Sequence, residues 1–378
     1  MASGSIGAAA RELGLSQPAV THALAKLELI LKMPLLRRGR DGSRGTRAGE
    51  ILHRRVIRLW RHIAQGIAAA RGEVEESDTV RQRRAALTST QLACHLAVAG
   101  RGSFRAAAQS LAISEPALQR SVRELERLMG VALYRRDGQS IRVTPNGSAL
   151  ATRWQLALGE IAQAHDEIEA VLGCGAGRIA LGCLPLMPKG TLAQALGQLL
   201  TRFPNVEISL EEGSYDQLSV ALKSGRLDML LGALRDHRKD EELVARALFD
   251  DPYVVIARRE HPLAGRRRRP QPAELGRHSW VAPPRGTPRR AALDQLFDKL
   301  PARPSIVIET NSVAMMIATL SESDCLSLSS RSLAEIDYPA ANLAVLPVPS
   351  LSIKRPVGVT TRANWLPTKV QQSLLDLL

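Results

Sequence analysis

Leu15-Ser16-Gln17-Pro18-Ala19-Val20-Thr21 and Ile113-Ser114-Glu115-Pro116-Ala117-Leu118-Gln119 are one phrase written twice, 98 positions apart. The register holds outward from it without a gap: Gly4-Ser5-Ile6 falls on Gly102-Ser103-Phe104, Ala8-Ala9-Ala10 on Ala106-Ala107-Ala108, and Leu27-Glu28 on Leu125-Glu126. Further on, Leu35-Leu36-Arg37-Arg38 falls on Leu133-Tyr134-Arg135-Arg136, and Thr46 and Gly49 fall on Thr144 and Gly147. Each copy reads as a short Ala-rich helix, a tight turn, and a second helix with a Ser N-cap and Pro in its first turn, which is helix-turn-helix punctuation. In that second helix Val20, Leu24 and Leu27 recur at helical spacing, as do Leu118, Val122 and Leu125 in the other copy, and they predict a buried stripe.

The opposite face is polar. It carries Gln17, Thr21, His22 and Lys26 around Pro18 in copy one, and Glu115, Gln119, Arg120 and Arg123 around Pro116 in copy two. Amide, hydroxyl and basic groups of this kind read base edges and phosphates in a major groove. Arg37 and Arg38, and Arg135 and Arg136, open what reads as a two-stranded basic wing, with an Asp137-Gly138 turn in copy two. The competing reading is ordinary amphipathic surface helices, and the double occurrence counts against it. The net charge of +14 points to a polyanion. Residues 1–72 hold thirteen Arg and Lys against four Asp and Glu. Double-stranded DNA is the expected partner.

No amphipathic basic anchor or long apolar span predicts a membrane partner. Cys94, Cys174, Cys183 and Cys325 lack metal-ligand spacing, and the start of the chain lacks secretory features, so reduced thiols in a bacterial cytoplasm are expected, with no metal and no cofactor. The Arg266–Arg269 run sits in loop composition and reads as solvated surface.

Phe104-Arg105-Ala106-Ala107-Ala108, followed by Leu111, Ser114, Pro116-Ala117-Leu118, Leu125-Glu126 and Leu133-Tyr134-Arg135-Arg136, resembles the winged helix-turn-helix of LysR-type bacterial transcriptional regulators. Copy one carries the more usual reading start, Ser16-Gln17-Pro18-Ala19-Val20-Thr21, whereas copy two has Glu115 in place of Gln. A carboxylate repels phosphate but accepts from cytosine N4, so copy two is expected to read different bases or to touch DNA more weakly.

The chain is expected to divide into a first winged unit with its linker helix (1–72), a polar linker (73–84), a second winged unit (85–148), a second linker helix (149–176) and an effector domain (177–378). The linker helices carry apolar stripes: Ile51 or Leu52, Val56, Leu59, Ile63 and Ile67 in the first, Leu150, Trp154, Leu158, Ile161, His165, Ile168 and Leu172 in the second. Such stripes fit helix pairing or packing on the adjacent winged unit. The resemblance implies that they join copies into a homo-oligomer, and it adds RNA polymerase as a partner. Copy two opens with a helix over Leu87–Ala99 whose counterpart in copy one would precede Met1. Either the natural chain begins earlier, which is the expectation, or copy one borrows a packing surface elsewhere.

Beyond the glycine-rich joint Gly173-Cys174-Gly175-Ala176-Gly177, strand and helix patterns alternate. Strands are expected at 178–184, 206–211 and 227–231 with helices at 191–203 and 215–224, then strands at 279–282 and 306–309 with helices at 289–299 and 312–320. These βαβ successions predict parallel, doubly wound sheet in two lobes, the first about 177–250 and 345–378, the second about 258–344. The stretches 248–257 and 343–359 are the expected crossings between lobes. This resembles the type 2 periplasmic-binding-protein fold of LysR-type effector domains. The expected fold class is therefore α/β, with two helix-rich winged helix-turn-helix units ahead of a two-lobe effector domain.

Leu184-Pro185-Leu186-Met187-Pro188, Leu230-Leu231-Gly232-Ala233-Leu234-Arg235 and Pro284-Arg285-Gly286-Thr287-Pro288 resemble the subgroup of galactose-binding-protein regulators, which implies a sugar or related metabolite as small-molecule effector. Ligands in open α/β lobes sit beyond strand carboxyl ends, at helix N-termini. Leu184, Pro185 and Lys189, Arg285 and Thr287, and Asn311 and Ser312 meet that condition. The hydroxyls of Thr287 and Ser312 serve helix capping equally well. An enzyme, or a solute-binding protein, is the alternative on fold alone. No nucleotide loop, zinc-helix motif or serine elbow is present, the histidines are scattered, and no catalytic residue is assigned.

Overall fold

The computed structural model describes residues 5–378 apart from 40–41, 138–139, 173–176, 236–239, 266–267, 337, 339–340 and 349–354. The second residue of the expected Asp-Gly turn, the joint at 173–176, Arg266 and Arg267, and the middle of the second expected crossing lie outside the described residues, as does the Arg38 side chain. The chain forms two compact units, Met1–Gly177 and Arg178–Leu378.

In the first unit, copy one runs α1 (Ile6–Glu12), α2 (Gln17–Leu31), β1 (Leu36–Gly39), β2 (Gly42–Gly45) and α3 (Arg47–Arg71). Next come α4 (Asp78–Ala86), then copy two as α5 (Ser89–Arg101), α6 (Phe104–Ser110), α7 (Glu115–Met129), β3 (Tyr134–Asp137), β4 (Ser140–Val143) and α8 (Pro145–Val171). Ser16 and Ser114 cap α2 and α7 by accepting from Ala19 N and Ala117 N.

The residues shared by the two copies tie each wing to its reading helix. Glu28 Oε1 accepts from Leu35 N and Leu36 N at 2.6 and 3.2 Å, and Glu126 Oε1 accepts from Leu133 N and Tyr134 N at 2.9 and 3.2 Å. Thr46 and Thr144 cap α3 and α8 while donating back to Pro34 O and Ala132 O. A Cβ on Gly49 or Gly147 would run into the carbonyl oxygen of Leu35 or Leu133, so both positions need glycine for the wing to approach the linker helix.

Three expectations are corrected. The polar stretch 73–84 is not extended linker throughout: Ser77 caps α4, whose Val80 is buried, and Arg83 pairs with Glu73 at 3.1 Å. In copy one the stripe Val20, Leu24 and Leu27 is not buried, and α2 has no buried residue, because no counterpart of α5 lies over it among the described residues. The borrowed surface is instead the start of α3 (Ala48, Ile51, Leu52) with the end of α8 (Ile168, Val171), against Leu24, Leu31 and Leu35. Third, the linker helices find their pairing partner inside the chain. Ile63, Ile67 and Ala70 of α3 pack with Leu150, Trp154 and Ala157 of α8 and with Leu125, Met129 and Leu133 of copy two. Each linker thus reaches the other copy's reading helix.

The second unit runs β5 (Arg178–Cys183), α9 (Lys189–Arg202), β6 (Glu207–Glu212), α10 (Tyr215–Lys223), β7 (Met229–Ala233), β8 (Leu243–Asp250) and β9 (Tyr253–Arg258). It continues with α11 (Pro272–Leu275), β10 (Trp280–Ala282), α12 (Pro288–Phe297), β11 (Ile306–Glu309), α13 (Val313–Ser321), β12 (Ser327–Ser330), α14 (Arg331–Ile336), β13 (Leu343–Leu346), β14 (Pro356–Arg362) and α15 (Lys369–Leu377). Lobe one is a sheet ordered β6-β5-β7-β14-β8, and lobe two combines β12-β9-β13 with the parallel pair β10-β11. The expected wholly parallel sheets are corrected to mixed ones. β14 runs antiparallel to β7 and β8, and β9 antiparallel to β12 and β13, because strands that return from the other lobe enter in the opposite direction. The expected crossing at 248–257 contains the end of β8, a bend at Asp251-Pro252 and most of β9. Asp251 and Arg355, both buried, pair at 2.9 Å beside that bend.

Candidate functional site

Two regions carry chemistry. The first is the pair of reading helices. On α7, Leu118, Val122, Leu125 and Met129 are buried, leaving Arg120 and Arg123 exposed. Glu115 is half-buried, and its Oε1 accepts from Gln119 Nε2 at 3.1 Å. On α2, Gln17, Pro18, His22 and Lys26 are exposed, and the Thr21 hydroxyl donates to Gln17 O at 2.9 Å. Arg37, Arg135 and Arg136 stand exposed on the wings.

His95, by contrast, is a packing residue. It is buried between Tyr134 and Trp154, with Nδ1 2.5 Å from Tyr134 Oη and Nε2 3.0 Å from Gly147 O. Burial lowers its pKa to about 4, against a smaller raising effect of the Gly147 carbonyl. The neutral ring joins α5 to the wing and to the start of α8.

The seam between α3 and α8 holds charges that the stripes did not predict. Arg55, 1% exposed, reaches Glu160 at 2.9 Å, Glu167 at 3.1 Å and Gln163 at 2.5 Å. Arg58 pairs with Glu160 at 2.7 Å, and His62 lies 3.6 Å from the same carboxylate. Leu158, Ile161 and Leu172, expected in the stripe, are about half exposed instead, while Ala157 and Ala164 let the helices close. A buried Arg and Glu count as polar in a periodicity, so the pattern gave no signal for them.

The second region is a cavity of about 810 Å³ between the lobes of the second unit, lined by Leu234 and Arg235 from lobe one and by Arg285, Gly286, Thr287 and Arg290 among others from lobe two. Arg235 stacks over the Tyr215 ring and donates to Gly286 O at 3.1 Å, and its Nε is buried without a partner. Arg289, 7% exposed on α12 but outside the cavity lining, reaches Met316 Sδ at 3.4 Å. Neither arginine forms an ion pair with the described residues, and burial pulls both guanidinium pKa values down. Arg290, in contrast, is neutralised by Asp294 and Glu309.

Of the expected effector residues, Arg285 and Thr287 line this cavity, and Thr287 also caps α12 by accepting from Arg290 N. The others lie away from its lining. Leu184 is buried among Leu218, Leu222 and Leu230, Pro185 is exposed, and Lys189 pairs with Glu212 at 3.3 Å. Asn311 is exposed, and Ser312 caps α13. Arg235 and Arg289 were not singled out from sequence; an arginine beside apolar residues says nothing of whether a carboxylate will reach it.

Among the described residues no group of side chains could hold a metal ion, and no helix is long and apolar enough to cross a membrane.

The family model for the LysR substrate binding domain matches residues 174–378, and the model for the bacterial regulatory helix-turn-helix of the lysR family matches twice, at 1–50 and 89–148. This chain belongs to the LysR family. It is a LysR-type DNA-binding transcriptional regulator with an effector-binding domain, and its reading module is present in two copies. It is 26% identical over 373 residues to the HTH-type transcriptional regulator GalR of Pseudomonas putida, covering 98% of this chain and 92% of that protein. It is 25% identical over 256 residues to GbpR of Azospirillum brasilense, covering 67% of this chain and 74% of that one. A full-length OxyR variant of Pseudomonas aeruginosa shares the fold with a TM-score of 0.58 at 22% identity, over 77% of this chain and 94% of that one. CbnR in complex with its target DNA does so with a TM-score of 0.55 at 20% identity, over 77% and 98%.

Proposed function

We propose that this LysR-type regulator, acting in the cytoplasm and not as an enzyme, couples operator binding to a small anionic metabolite, a sugar acid being the class that joins the subgroup resemblance to the chemistry of the cavity. The observation that carries this reading is the cationic lining of the cavity, where half-buried Arg235, with a buried unpartnered Nε and no ion pair among the described residues, stands together with exposed Arg285. A partly desolvated cation without a counter-charge is costly, and a carboxylate or phosphate supplies the missing charge with directed hydrogen bonds. Arg285 and Thr287 are assigned to the ligand's far side. On the DNA side, Gln17, Thr21, His22, Arg120 and Arg123 are assigned to base edges, and Arg37, Arg38, Arg135 and Arg136 to phosphates. RNA polymerase follows from the family as a partner.

A thermal-shift screen of the purified chain tests the effector class, since a ligand that binds only the folded form raises its melting temperature. Sugar acids and other small carboxylates or phosphates are expected to raise it, and an Arg235→Gln variant is expected to lose that response. Stabilisation by neutral sugars alone would remove the anion from the proposal.

A further inference from the structure

We propose that one chain is a complete reader of two unlike half-sites, the pair α3–α8 taking within a single polypeptide the place of a pairing between two subunits. The inference rests on the DNA-binding function of the repeated module and goes beyond it in stating how many chains an operator needs and what symmetry it has. Three observations carry it. The module occurs twice at a constant offset of 98 residues. The linker helix of each copy is packed along the other and reaches the other copy's reading helix, so the two linkers pair inside the chain.

The third observation is that the seam is built for unlike helices. α3 supplies Arg55, Arg58 and His62, and α8 supplies Glu160 and Glu167. The offset places His62 and Ala69 of α3 at the positions of Glu160 and Glu167. A second α3 would therefore offer Arg55 no carboxylate at those positions, and a buried charge that loses its partner is strongly destabilising. The reading faces differ as well: Gln17, Thr21, His22 and Lys26 on α2, against Glu115, Gln119, Arg120 and Arg123 on α7. Faces of unlike chemistry select unlike base pairs, so the operator lacks the two-fold symmetry that a pair of identical reading helices imposes.

The test uses the full chain. Duplexes enriched from a random-sequence pool give the motif; a duplex trimmed to one motif is then titrated, and the mass of the complex is measured. The expected result is two dissimilar half-sites, one chain per duplex, and a simple hyperbolic isotherm down to nanomolar protein, because the second reading event is intramolecular. His22→Ala and Arg120→Ala, both at exposed positions, are expected to relax base preference at different half-sites, each with a loss of roughly 5- to 150-fold. A palindromic motif, a second chain in every complex, or both substitutions relaxing the same half-site would overturn the proposal. An absence of any enriched sequence would instead count against DNA recognition by the module, a different failure.

Discussion

Glu160 is the point at which three side chains of α3 converge. Burial pushes its carboxyl up, but the facing imidazole of His62 and the guanidinium groups of Arg55 and Arg58 outweigh that and hold it at about 2, below its ordinary value of 4.5. A carboxyl whose folded value is depressed contributes stability above its unfolded value and loses it as pH falls through the folded one. His95 acts in the same direction by another route. Its folded value of about 4 lies below the ordinary 6.5, so the unfolded chain takes up the proton first, and stability is complete above 6.5 and falls between 6.5 and 4. Each effect is on the order of 3 kcal/mol. The first unit is therefore expected to lose stability in two steps on acidification, read as the urea midpoint of its unfolding from pH 7 to pH 2.5. Glu160→Gln should be weaker at pH 7 and lack the lower step. A midpoint that stays flat between pH 6.5 and 4 would contradict the burial of neutral His95.

At the scale of elements, the two copies test one another. Leu125 on α7 is completely buried, while its counterpart Leu27 on α2 is 38% exposed, in the same sequence register. Truncating a core leucine costs about 2–5 kcal/mol, and truncating a surface one changes stability by roughly 0.5 kcal/mol. Leu125→Ala is thus expected to lower the urea midpoint sharply and Leu27→Ala hardly at all; equal losses would show that α2 is covered in solution. Most elements were legible because their signals are local. Ser caps, Pro in the first turn, alternation in strands and the repeat itself placed the reading helices and the βαβ units. Burial in copy one was not legible, because periodicity marks a face as apolar without naming what covers it. The α3–α8 seam failed for the same reason and one more: its centre is Arg55 and Glu160, which a hydropathy pattern assigns to solvent. Direction within the sheets depends on which lobe a strand returns from, and single strands carry no mark of that.

At the scale of the whole molecule, one unit reads DNA and the other holds the cavity, so regulation requires that occupancy of one alter the affinity of the other. Coupling of this kind is a free energy shared by both binding events, and it vanishes when the ligand no longer distinguishes two states of the protein. The cavity takes Leu234 and Arg235 from lobe one and Arg285 to Pro288 and Arg290, among others, from lobe two, so a ligand that touches both lobes binds best when they are closed on it. Arg285 is exposed and has no hydrogen bond or ion pair among the described residues, unlike Arg290, whose pair with Glu309 holds α12 to β11. Removing it should therefore change what closure gains from the ligand without disturbing the fold. We expect Arg285→Ala to bind operator DNA with unchanged affinity in the absence of effector, with an unchanged salt slope set by the reading helices and wings. Addition of the effector, expected to shift operator affinity of the natural chain, should leave the variant's affinity where it was. The comparison is a pair of titrations of one labelled duplex with and without saturating effector. An Arg285→Ala chain that responds as the natural one does would place the ligand outside this cavity, even if the thermal shift is kept.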